Sequence, residues 1–257
     1  MSPTLNPRLG VSTWSLNESI SAGTPLLDIP ARVAAHSLSK LEVCHFHFPS
    51  TDAAYLTEFR AAVHAAGVEF YTLLIDEGDL THPDASERER VIALMKHWIN
   101  VAAQAGASRV RVIAGDAPFS EETLDLSVSG LTEVLDHADT LGVRVVTENW
   151  HPLLDHPDAV LALMERMQGR IGLKLDFGNW PAEHKYVDLP KIAALAECTH
   201  AKASFTTMGD MDEEDFTRCL DICRDAGFSG PHVLIFSDPG DEWDSLDRMS
   251  EVVRPYA

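Results

Sequence analysis

The sequence contains no apolar run near the roughly 18 residues that a membrane-crossing helix needs, which argues against a membrane-spanning protein. Its four cysteines, Cys44, Cys198, Cys219 and Cys223, form no CxxC pair. A disulfide framework or thiolate zinc knuckle is therefore disfavoured, and a reduced, cytoplasmic protein is expected. Cys219 and Cys223, at i and i+4, are read as helix packing. Basic residues are also scarce: 20 Lys plus Arg stand against 40 Asp plus Glu, a formal charge of −20. Such a field repels a phosphate backbone, and no basic cluster offsets it, so no nucleic-acid partner is expected. The start, Met1-Ser2-Pro3-Thr4-Leu5-Asn6-Pro7, has neither the charged nor the apolar region of a secretory leader, and residues 1–7 are expected to form a flexible tail. A GxGxxG phosphate loop is missing too.

What is present is an alternation of two periods. Short β-branched or apolar runs occur near 8–15, 41–47, 68–75, 108–114, 143–148, 171–176, 198–204 and 232–237. Stretches with apolar residues every three or four positions separate them, such as Val91, Leu94, Met95, Trp98, Val101 and Ala102. Glycine precedes several of the strand-like runs, as in Ala66-Gly67-Val68 and Leu141-Gly142-Val143, where it ends a helix. Asp212, followed by Glu213, Glu214 and Asp215, reads as a helix start. About eight strand–helix units with no break in composition predict one domain over 1–257, an α/β protein of the single (β/α)8 TIM-barrel class.

Three of the strand-like runs carry a metal-ligand type of residue at the carboxyl end, the end where the active sites of such barrels lie. They are Glu148, Asp176 and His200. A lone strand-end carboxylate is ordinarily a helix cap or loop ion pair. Three ligand types of compatible parity point instead to a hard divalent-metal site. Parity also turns Lys174 inward with Asp176, and Lys202 with His200. It places His45 and His47 on one face with Val43, either lining the site or making structural hydrogen bonds. Trp14, Trp150 and Trp180 follow strand ends, where indole faces suit a sugar pocket. His64, His97 and His137 are predicted on helix exteriors.

Thr147-Glu148-Asn149, Leu175-Asp176-Phe177-Gly178-Asn179 and Thr199-His200-Ala201-Lys202 form one ordered set. Gly209-Asp210-Met211-Asp212 and Gly227-Phe228-Ser229-Gly230-Pro231 follow it. Together these segments resemble the sugar phosphate isomerase/epimerase family of xylose isomerase-like TIM barrels, most strongly from about residue 143 onward. The resemblance implies a divalent metal, Mn²⁺ or Mg²⁺ or else Zn²⁺, held by Glu148, Asp176, His200 and a final Glu. The eighth strand departs from that pattern, reading Val233-Leu234-Ile235-Phe236-Ser237-Asp238, with Asp238 or Glu242 left to reach in from the loop. Asn179 stands where many relatives carry a substrate-binding histidine.

Two-base epimerisation needs an acid/base on each face of the reacting carbon, so the missing glutamate favours a one-base isomerisation. The expected activity is a metal-assisted isomerase of a small sugar, sugar phosphate or hydroxy-carbonyl compound. In it Glu148 moves the proton and Lys202 stabilises negative charge through an enediolate-type step. Trp14, His45, His47, Arg111, Asn179 and Trp180 are the expected substrate contacts, and the partner is a small carbohydrate-like molecule. A homo-oligomer is compatible with the sequence. A lyase or dehydratase on the same barrel, and a degenerate barrel that binds sugar without turnover, are the rival readings. An endonuclease-like role is disfavoured by the charge.

Overall fold

Each strand-like run forms a strand in the computed structural model, which describes residues 4–257. The strands are β1 (Asn6–Ser12), β2 (Leu38–Cys44), β3 (Glu69–Leu74), β4 (Arg109–Arg111), β5 (Arg144–Glu148), β6 (Gly172–Asp176), β7 (Ala196–Lys202) and β8 (His232–Ile235). All neighbours are parallel, and β8 pairs with β1 to close the barrel. Parallel neighbours require a crossover between them, and helices supply it. Long ones are Ala85–Ala105 and Glu121–Leu141. Gly106 and Gly142 end these two at φ of 87° and 68°, a region that β-carbons disfavour.

The helix starts follow the local chemistry. Ser120 and Thr123 form a reciprocal capping box. The Asp212 carboxylate accepts from the Asp215 N–H at 3.1 Å, opening helix Glu213–Asp225 as its acidic first turn predicts. Cys219 and Cys223 are buried on the inner face of that helix. No helix among the described residues is long and apolar enough to cross a membrane.

Two expectations need correction. Asn6 pairs with Leu38, so the tail expected over 1–7 already includes strand residues, while residues 1–3 lie outside those described. Strand β2 ends at Cys44, and His45–His47 form a 3-10 turn. The face expected for the β2 end is also the opposite of the observed one: β2 alternates regularly, and the extra residue at its register shift, Tyr71, lies in β3. Val43 packs in the outer apolar core, while the fully buried Glu42 carboxylate meets β6 and β7 across the barrel.

The principal core lies between strands and helices, with Phe48, Phe59 and Phe70 packed edge-on within it. Tyr71, Cys198 and Val233 form a second, smaller apolar cluster. Val233 faces His200 across the β7–β8 pairing, and Ile235 faces Lys202.

Candidate functional site

The carboxyl ends of β5, β6 and β7 bring Glu148, Asp176 and His200 together. One ligand atom from each lies within 4.8 Å of the others. The Asp176 and His200 backbones are direct partners across β6 and β7. All three side chains are nearly inaccessible to solvent.

Each group is fixed by a specific contact. Glu148 Oε1 accepts from the Asn179 side-chain amide at 2.7 Å and lies 3.3 Å from His200 Nδ1. Glu148 Oε2 is buried without a hydrogen-bond donor, although Arg111 Nε forms an ion pair with it at 3.1 Å. Asp176 Oδ1 accepts from the Gly178 N–H at 2.6 Å, and its Oδ2 is 3.6 Å from His200 Nδ1. The Asn149 side chain clamps the Asp176 backbone, accepting from its N–H at 2.7 Å and donating to its carbonyl at 3.1 Å.

Beneath them lies a pair that the sequence conceals. Glu42 and Lys174 are both fully buried and form an ion pair. The second Glu42 oxygen lies 2.8 Å from His200 Nε2. Burial alone would raise the Glu42 carboxyl, but facing Lys174 and His200 lower it to about 2. Glu148 behaves similarly: burial opposes its charge, and His200 and Arg111 hold it well below the carboxylate range. Burial and Lys174 oppose a charged His200, yet Glu148 and Glu42 overcome them and raise it to about 10.

This arrangement fits a divalent cation. His200 Nδ1 lies between two carboxylates, 3.3 Å from Glu148 Oε1 and 3.6 Å from Asp176 Oδ2. With Nε2–H directed at Glu42, deprotonated Nδ1 would offer its lone pair toward Glu148 and Asp176, as metal binding requires. Oxygen and imidazole donors suit Mn²⁺, Mg²⁺ or Zn²⁺. The apolar Ile235 lines the cavity on β8 and offers no ligand.

The cavity above these groups encloses about 200 Å³, with Trp14, Asp76, Arg111, Trp150, Asn179 and Lys202 in its wall. Arg111 forms an ion pair with Asp76 and donates to the Ile75 carbonyl at 3.1 Å. Its guanidinium lies 4.9 Å from the centre of the Trp150 ring. Asp76 Oδ2 is buried without a donor. Lys202 has no acidic partner within 4.0 Å among the described residues, so its charge is available to the cavity.

Other expected contacts lie elsewhere. His45 packs beside Trp98, accepts from the Asp76 N–H at 3.2 Å and lies 3.1 Å from Glu77. His47 is held by Thr13 at 2.8 Å and Asn17 at 3.1 Å, and burial lowers its pKa to about 4. Neither histidine lines the cavity, because β2 stops before them. Trp180 is buried in the outer core, its indole N–H donating to the Leu154 carbonyl at 3.1 Å. Asp238 accepts from the Phe205 N–H at 2.8 Å and lines a neighbouring cavity. Glu242 is tied to the backbone N–H groups of Glu18 and Ser19. His64 and His97 are exposed on helices, and His137 is half-buried 3.2 Å from Asn100.

The sequence model of the xylose isomerase-like TIM barrel family matches residues 31–251. A comparison with curated proteins gave no match. Among solved structures, an L-ribulose 3-epimerase is similar at a TM-score of 0.75 and 14% identity, over 97% of this chain and 94% of that one. A D-psicose 3-epimerase from Clostridium cellulolyticum H10, determined with D-tagatose, gives 0.73 and 15% over 97% of both chains. A xylose isomerase-like TIM barrel protein from Mycobacterium smegmatis, in complex with magnesium, gives 0.68 and 14% over 91% of this chain and 90% of that one.

Proposed function

The chain belongs to the xylose isomerase-like TIM barrel family, and on that premise we propose that it is a metal-assisted isomerase of a small sugar or related hydroxy-carbonyl compound. The observation that carries this reading is the joining of Glu148, Asp176 and His200 at the barrel mouth, with Glu148 Oε2 left without a hydrogen-bond donor. Structural neighbours that are named sugar 3-epimerases, and one determined with magnesium, support it.

In this reading Glu148, Asp176 and His200 hold a divalent cation, which when bound supplies polarisation of neighbouring carbonyl and hydroxyl oxygens. The protein's own groups then divide the work. Glu148 Oε2 takes the proton from the carbon beside the carbonyl and returns it to the former carbonyl carbon, while the proton of the neighbouring hydroxyl passes to the former carbonyl oxygen. Arg111 and Asn179 keep that carboxylate ionised and oriented. Lys202 Nζ stabilises the negative charge that develops on the substrate oxygen. Ile235 leaves the β8 side without an acid/base, which favours return of the proton by the group that removed it.

Incubation of the Mn²⁺-supplied protein with aldoses and ketoses in D₂O, followed by NMR, tests the proposal. Interconversion of an aldose and its ketose with deuterium incorporation at the acceptor carbon is expected, lost in Glu148→Gln. Sugar binding without exchange or interconversion would make the barrel a binder instead.

A further inference from the structure

A second cavity, about 380 Å³, opens beside the first, and Trp14 lines both. Phe46 lines only this annex. Trp14 and Phe46 are 46% and 49% exposed, so both present ring surface to water. Their ring centroids are 6.3 Å apart with planes at 76°, so they present two differently oriented apolar surfaces.

The polar groups around these rings retain unused capacity. Asn17 Oδ1 is engaged by His47, which leaves the amide N–H donors. Asp238 Oδ2 is engaged by the Phe205 N–H, which leaves Oδ1 as an acceptor. The Ser237 hydroxyl is exposed beside them. Glu242 is consumed by Glu18 and Ser19 and serves as wall. No lysine or arginine lines the annex, whereas Glu18, Asp238 and Glu242 do. A phosphate or carboxylate there would meet like charge without compensation. An uncharged ring with apolar faces and hydroxyl edges satisfies both surfaces.

Size points the same way. The central cavity, about 200 Å³, is smaller than the ~300–1,000 Å³ of typical small-molecule sites, and the adjoining space brings the mouth into that range. We propose that the annex binds an uncharged sugar ring joined to the sugar that reacts in the central cavity. The substrate is then a disaccharide or like glycoside rather than a free sugar or sugar phosphate. This inference deepens the isomerase reading and rests on it for the reacting half of the molecule.

Calorimetry of the full chain with Mn²⁺ present tests this, using lactulose, maltulose and isomaltulose against fructose, glucose and fructose 6-phosphate. At least one disaccharide is expected to bind at least tenfold more tightly than every monosaccharide. Phe46→Ala is expected to remove most of that ratio. Asn17→Ala gives a second reading should loss of Phe46 disturb its short helical turn.

Equal or tighter binding of fructose or fructose 6-phosphate overturns the proposal, as does a disaccharide preference that survives both variants. Tighter binding of phenyl β-D-glucoside than of any disaccharide assigns the annex to an apolar group and also overturns it. Solvent exchange on monosaccharides, measured separately, distinguishes the two readings. Exchange without a disaccharide preference removes the annex proposal alone. A disaccharide preference lost in Phe46→Ala, with no exchange on any sugar, supports the annex and removes the isomerase reading.

Discussion

Glu42 Oε2 lies 2.8 Å from His200 Nε2, so a carboxylate at the end of β2 orients an imidazole on β7. Because Glu42 also neutralises Lys174, one side chain performs two separable tasks. Removing it alone in Glu42→Gln strands a buried ammonium, and a loss of about 3–5 kcal/mol of stability is expected. The double variant Glu42→Leu/Lys174→Met removes both charges and should recover most of that loss. It still lacks the acceptor for His200 Nε2, so its Mn²⁺ affinity should remain about 10–100-fold weak. Chemical denaturation and metal titration on both variants check this; recovery of stability and affinity together would deny Glu42 its positioning role.

The residues most legible in the sequence are those where strand period and strand end coincide. Glu148, Asp176 and His200 close regular runs, and their shared mouth follows from the (β/α)8 pattern alone. Lys174 and Lys202 also follow from parity. Glu42 does not, because alternation alone does not say which face of the β2 end turns inward, and Leu41 and Val43 take the outer one. His45 and His47 lie beyond the strand end, in a turn. Loop reach has no periodic signature, so the capture of Asp238 by Phe205 and the inward packing of Trp180 appear only in three dimensions. The one visible hint of Glu42 is a carboxylate set alone in Leu41-Glu42-Val43-Cys44.

Ile235 lines the cavity on β8 opposite Lys202 and supplies no ligand. Ile235→Glu is expected to raise Mn²⁺ affinity roughly tenfold by adding a charged oxygen donor. The metal-free variant should be less stable than the parent, since the new carboxylate is buried. Melting curves with and without Mn²⁺ measure both effects. A metal-induced rise in Tm no larger than that of the parent would place residue 235 out of reach of the cation.

His232 offers a pH-dependent test of the barrel away from the mouth. Its ring packs on Phe228, and its Nδ1 lies 2.9 Å from the Thr199 hydroxyl. Burial, aided by Arg8, lowers its pKa from 6.5 to about 3. The unfolded chain therefore binds a proton below pH 6.5 that the folded chain refuses. The stability tied to neutral His232 is complete above pH 6.5 and is lost as pH falls toward 3. Between pH 6 and 4 the parent should lose stability more steeply than His232→Asn, by up to about 1.4 kcal/mol per pH unit. Urea denaturation across that interval supplies the slopes, and parallel slopes would mean that His232 takes its proton as readily folded as unfolded.

The joining of Glu148, Asp176 and His200 is tested most directly by calorimetric titration of Mn²⁺ into the metal-stripped protein and its three single alanine variants. One equivalent should bind the parent, and each variant should lose more affinity than the ~10–100-fold expected for an outer-shell partner. Stoichiometric binding that survives all three substitutions, or no binding to the parent, would contradict a cation site at the barrel mouth.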